Sequence, residues 1–162
     1  MNTFLIRTAF ALSLAFPLAA GAQVAVTAQP DHELLLASPD AKLATNKRLV
    51  YDFWREVFEA HHMELAPKYM AESYIQHNPN VPTGRAAFVD FFSKFTKATP
   101  IEPKVKAPLV SIVADGDLVV LSFAREVADP KDAAKKYTTT WFDMFRIESG
   151  KIAEHWDAAT RQ

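Results

Sequence analysis

The hydrophobic spacing of this chain changes character near Pro100, and that change limits the folds open to it. Before it, apolar residues recur at three- and four-residue intervals: Leu43, Leu49, Val50, Phe53, Trp54, Val57 and Phe58 make one broad face of a helix expected over 40–60. A shorter helical stretch is expected around 63–70, with Pro67 near its start. A third, capped by Thr83, runs through Phe95 and sets Phe88, Phe91, Phe92 and Phe95 along one side, a core pattern by default. After Pro100, Pro103 and Pro108 the spacing becomes that of strands. Segments 105–114 and 118–127 flank Asp115-Gly116-Asp117, and 137–147 and 151–158 flank Glu148-Ser149-Gly150, two hairpin signatures. Pro108 implies an edge position or a bulge. Helices first and an antiparallel meander after them predict an α+β domain with three helices packed on one face of a curved sheet.

Residues 1–22 read as a signal peptide. Arg7 gives a positive start, 8–20 is almost continuously apolar, and Ala20-Gly21-Ala22 has the small-x-small form of a cleavage site. The apolar run is short for a membrane span, so a periplasmic or secreted protein without a stable membrane anchor is expected. Residues 23–39, with Pro30 and Pro39, read as an extended, loosely attached lead-in, and 40–162 as the domain.

There is no cysteine, which excludes disulfides and thiol nucleophiles and leaves stability to the core. A processed chain of about 140 residues can build one sizeable core, and nine of the twelve phenylalanines and all three tryptophans lie within that chain to supply large side chains. A formal charge of −1 with no continuous basic footprint argues against a nucleic-acid partner.

Two polar-aromatic segments interrupt the apolar pattern: Tyr74-Ile75-Gln76-His77-Asn78-Pro79 and Glu154-His155-Trp156-Asp157. Alternation in the last strand puts His155 and Asp157 on one face, and in the preceding strand Asp143 shares a face with Trp141 and Phe145. The strand register, which sequence leaves open, decides whether they meet. An imidazole beside two carboxylates can orient and tune a general base, so Asp157 is the leading base, with His155 and Asp143 as its electrostatic partners. The same residues could equally form a buried hydrogen-bond network that fixes the sheet. Tyr74, His77 and Asn78 offer a hydroxyl, an imidazole and an amide to a polar ligand atom, and His77 and Asn78 could instead hold the loop. Trp141 joins them as an expected ligand contact. His61-His62 does not present two ligands to one ion, and no spacing demands a metal at His77, His155 and a carboxylate. No phosphate loop, nucleophile elbow or dinucleotide fingerprint is present.

The chain resembles the SnoaL-like branch of the nuclear transport factor 2-like superfamily. The resemblance rests on Phe53-Trp54-Arg55-Glu56-Val57-Phe58, the Tyr74 to Pro79 segment, Gly84-Arg85, Asp143-Met144-Phe145-Arg146-Ile147-Glu148, Gly150-Lys151-Ile152 and Glu154-His155-Trp156-Asp157. It implies a cone-like α+β barrel around a cavity, a homodimer formed through the outer sheet face, and a likeness to polyketide cyclases that work without cofactor or metal through an acidic residue. Asp157 best matches that acid, and His77, Asp143 and His155 match recurrent cavity residues. Relatives often carry a histidine where this chain reads Leu121-Ser122-Phe123. The expected function is proton transfer on a small, mostly apolar or aromatic carbonyl compound, as a lyase or isomerase. The alternatives are a noncatalytic binder using the same cavity, or a dimeric structural or interaction protein.

Overall fold

The computed structural model describes residues 23–161, so the signal peptide expected over 1–22 lies outside the described residues. A short helix α1 (His32–Leu36) precedes the main helix α2 (Ala41–Phe53), whose first turn is capped by the Asp40 carboxylate accepting from the Lys42 and Leu43 amides. The chain stays helical to Glu59, as the spacing predicts. From Trp54, however, the turn widens to a π-helix over Trp54–Glu59. That wider turn packs Trp54, Glu56 and Val57 inward together, and His61, with φ 61°, ends it in the left-handed region. A 3₁₀ turn (Met63–Leu65) and a short helix α3 (Ala66–Tyr69), with Pro67 in its first turn, follow as expected.

Strand β1 (Met70–Gln76) was not expected: the Tyr74 segment reads from sequence as a polar connection between helices. Its partner is the last strand, with which it runs parallel, Ile75 beside Glu154 and Gln76 beside His155. Helix α4 (Arg85–Ser93) is shorter than predicted and Thr83 does not cap it. The Thr83 hydroxyl instead bonds the backbone N–H and C=O of Gln76, and Gly84, with φ 98°, takes the N-cap position. Because α4 ends at Ser93, Phe88 is buried while Phe95 is 75% exposed, so the four phenylalanines do not form one core stripe.

The meander forms as β2 (Leu109–Asp115), β3 (Leu118–Asp129), β4 (Asp132–Glu148) and β5 (Lys151–Asp157), giving one five-stranded sheet of order β1-β5-β4-β3-β2. All neighbours except β1 and β5 are antiparallel. Pro108 stands just before edge strand β2, whose register shifts between Leu109 and Ser111. Ser149 and Gly150, at φ 51° and 73°, close the last hairpin with both central residues in the left-handed region.

Helix α2 covers the inner sheet face. Val50, Tyr51, Phe53 and Val57 are buried in one cluster with Leu109, Val119, Leu121, Phe145 and Ile152, each large side chain contributing about 1.5–3 kcal/mol of hydrophobic stabilisation. The lead-in is tied down rather than loose. The Gln29 amide donates to the Leu109 carbonyl, and buried His32 places Nδ1 2.7 Å from the Tyr51 hydroxyl. Among the described residues no helix is long and apolar enough to cross a membrane.

Candidate functional site

The register left open by the sequence pairs Asp143 with Asp157 and Phe145 with His155. Alternation along β4 and β5 then turns Asp143, His155 and Asp157 to the inner face, where one ligand atom from each lies within 4.8 Å of the others. They are the group among the described residues whose donor atoms could hold an ion. His155 Nε2 is 3.0 Å from Asp143 Oδ1, and both side chains are buried. Its Nδ1 is 2.8 Å from Gln76 Oε1.

Backbone donors assign the protons in this network. The Asn78 amide N–H donates to Gln76 Oε1 at 2.9 Å, which orients the Gln76 side chain and makes that oxygen an acceptor. His155 Nδ1 must therefore carry a proton and donate it. Nε2 then shares a single proton with Asp143, held either as a carboxylic acid facing an imidazole or as a carboxylate facing an imidazolium. Burial pushes the Asp143 carboxyl above its ordinary 3.8, with Asp157 adding to the push and His155 opposing it. Its second oxygen, Oδ2, is buried without a hydrogen-bond partner. The cross-strand neighbour there is Leu121, 1% exposed.

Gln76 Nε2 donates to the Tyr74 hydroxyl at 3.0 Å, leaving the phenolic proton without a protein acceptor among the described residues. Burial, then Asp157 and Asp143, raise the Tyr74 pKa, so the group stays a phenol and a donor. Asp157 is held at both oxygens: Oδ2 accepts from Asn78 Nδ2 at 2.6 Å and Oδ1 from the Ala159 amide at 2.8 Å. The Asn80 amide donates to Asn78 Oδ1 at 2.9 Å and thereby orients the Asn78 side chain.

These polar groups form one end of a cavity of about 110 Å³ that is partly open to solvent. Phe53, Trp54 and Phe58 from the α2 continuation, Phe88 and Phe92 from α4, and Phe145 from β4 supply its walls. Among the described residues no lysine or arginine lines it. Of the residues expected from sequence, Tyr74, Asn78, Asp143, His155 and Asp157 come together here.

His77 and Trp141 do not line the cavity. His77 follows Gln76 in extended chain and so points to the opposite side, stacking on Trp156 at 4.9 Å and 5° with Nε2 2.7 Å from Glu154 Oε1. The metal set of His77, His155 and a carboxylate is therefore not assembled. Trp141 lies under the Arg125 guanidinium at 5.1 Å. Its indole N–H lies close enough to favour the Asp143 carboxylate slightly, but Oδ2 has no hydrogen bond of normal geometry, which makes Trp141 a neighbour rather than a partner.

Gln76 is the site residue that the sequence reading missed. The signal was present: in an extended Tyr74-Ile75-Gln76-His77-Asn78 segment, Tyr74, Gln76 and Asn78 share a face and His77 does not.

Residues 50–155 match the family model of the SnoaL-like domain. No curated protein matches the sequence. Among solved structures, the chain is similar to a protein from Acidithiobacillus ferrooxidans provisionally named a polyketide cyclase, at 19% identity and a TM-score of 0.50, covering 75% of this chain and 89% of that one. It is also similar to an LEH-like epoxide hydrolase of M. tuberculosis, at 12% identity and a TM-score of 0.51, covering 72% of this chain and 83% of that one. At these identities the likeness bears on the fold alone.

Proposed function

The chain belongs to the SnoaL-like domain family, with its helices packed on a mostly antiparallel α+β sheet, and on that premise we propose that it transfers a proton on a small carbonyl compound using its own side chains. The observation that carries this reading is the convergence of Asp157, Asp143, His155 and Tyr74 on the polar end of an aromatic cavity.

Asp157 takes the proton next to the carbonyl, since both its oxygens sit among N–H donors that match a carboxylate. The oxygen that gains charge accepts from the free Tyr74 hydroxyl proton. A positioned base contributes about 10²–10⁴-fold and one oxyanion donor about 10²–10³-fold, so both are needed for a useful rate. Returning the proton to a different carbon gives isomerisation, and attack of the enolate on a second carbonyl gives aldol-type closure.

The volume restricts the substrate. An apolar cavity of roughly 150 Å³ holds benzene, so about 110 Å³ admits one small ring or short chain, and a multi-ring polyketide does not fit it.

One observation favours binding without chemistry: the two N–H donors on Asp157 stabilise its anion and so weaken it as a base. Calorimetry and turnover assays on one panel of small ketones separate the two readings. Catalysis requires Asp157→Asn to bind and not turn over, whereas a pure binder shows no turnover in the wild type.

The apolar outer face of the sheet, where Phe142 is 51% and Val113 57% exposed beside Met144 and Trp156, supports a homodimer built on it. Export rests on the leader pattern of residues 1–22, and N-terminal sequencing of protein recovered outside the cytoplasm tests it.

A further inference from the structure

The polar end of the cavity carries a negative charge that no protein cation offsets. Asp143 and His155 share one proton and are together neutral whichever of them holds it, so the Asp157 carboxylate leaves the group at about −1. Among the described residues no lysine or arginine lines the cavity, and both carboxylates push up the Tyr74 hydroxyl beside it. An anion enclosed by aromatic rings is costly without a counter-charge. Asp143, with its side chain 6% exposed, also holds an oxygen with no hydrogen-bond partner. The surrounding walls are ring systems, among them Trp54, Phe58 and Phe92, whose faces attract cations.

We propose that the cavity takes a small organic ammonium, its N–H donors directed to Asp143 Oδ2 and Asp157 and its hydrocarbon body against Trp54 and Phe92. One monocation neutralises the site, supplies the missing partner of Oδ2 and makes use of the rings. A bare divalent ion would use the triad and leave the rings without a role. The inference rests on the reading of this cavity as the ligand site, and adds that the carbonyl compound bears an amine. The aliphatic part is small, since a cavity of roughly 150 Å³ holds the six heavy atoms of benzene and about 110 Å³ leaves room for about four or five.

The test compares isobutylamine with isobutanol, near-isosteres of about five heavy atoms each, by calorimetry at neutral pH, where an aliphatic amine is charged. The amine binds one to one and at least tenfold tighter, a difference of about 1.4 kcal/mol. Asp143→Asn and Asp157→Asn each reduce that preference towards unity, while His77→Ala, on the outer face, keeps it. Circular dichroism confirms that each variant is folded, and the wild-type comparison stands by itself if one is not. Equal or tighter binding of the alcohol, no binding of either compound to folded protein, or a preference that survives both Asp variants overturns the proposal. Stoichiometric Zn²⁺ binding lost in both variants, with no amine binding, assigns the site to a metal instead. Proton exchange on a neutral ketone without any amine preference removes this inference alone, and an amine preference without exchange removes only the proton-transfer reading.

Discussion

Gln76 joins three parts of the site: it accepts from His155 Nδ1 and the Asn78 amide and donates to the Tyr74 hydroxyl. Replacing it with leucine leaves those groups buried or half-buried without partners. Gln76→Leu is expected to lose about 1–3 kcal/mol of stability in urea denaturation. It also frees the His155 ring from its single tautomer, which ¹⁵N NMR of the imidazole reads directly. A merely structural glutamine would change the first quantity and not the second.

Asp143 gives a prediction with a definite sign. Its carboxyl is raised by burial above the ordinary 3.8, so the stability it contributes is complete below that value and is lost as pH rises through the raised one. Relative to Asp143→Asn, the wild type should therefore lose stability from about pH 4 upward and level off once Asp143 is ionised. Urea midpoints of the two proteins across that range check it, and a wild type that gains stability over the variant as pH rises would contradict it. At the residue scale the sequence showed the chemistry-bearing types but not their directions. His155, Asp157 and Asp143 were legible because the alternation of two clear strands set their faces. His77 was misdirected because its own segment was not read as a strand, and a one-residue change of face exchanges His77 for Gln76.

At the scale of elements, the segments that stood out are those whose stability is local. The α2 period, the Asp40 start, both hairpin turns and the edge position marked by Pro108 formed as the residues predicted. Strand β1 did not stand out, since Met70-Ala71-Glu72-Ser73 carries no β-branched residue and its partner lies at the other end of the chain. The π-helical turn was hidden for a similar reason, because its cause is tertiary. Glu56 reaches inward to the Tyr69 hydroxyl, Lys68 and Arg55. Burial pushes the Glu56 carboxyl up, and the hydrogen bonds from Tyr69 and Lys68 outweigh it, so its pKa falls below 4.5, while burial and Glu56 push Tyr69 up to about 12. A lowered acid stabilises the fold above its unfolded pKa and loses that contribution as pH falls through the lower value. Glu56→Gln is thus expected to cost about 1–3 kcal/mol near neutral pH. In thermal or urea unfolding the gap to wild type should close below about pH 4.5.

The α+β arrangement of the whole molecule was legible from the change of hydrophobic period, because a helical face and an alternating sheet face can bury one another in few ways. The size of the cavity was not, since volume depends on how Trp54, Phe58, Phe88 and Phe92 interlock rather than on where they fall in the chain. The outer face belongs to this scale too. If a second copy covers it, Phe142→Glu sets a charge in an apolar contact, and light scattering should show a dimer for the wild type and a monomer for the variant. A wild-type monomer at all working concentrations would remove the dimer.

The central claim is that Asp157 moves a proton on a small carbonyl ligand inside this cavity. Acetone and aminoacetone, the second carrying the ammonium, have about four and five heavy atoms and fall within the size the cavity admits. Deuterium incorporation next to their carbonyl in D₂O, followed by NMR with wild type and Asp157→Asn, measures that step without requiring the natural product to be known. Enzyme-dependent exchange is expected to fall by about 10²–10⁴-fold in Asp157→Asn, with affinity for acetone within a few-fold. Exchange at the same rate in both proteins, or none above buffer in a wild type that binds the ketone, would contradict it.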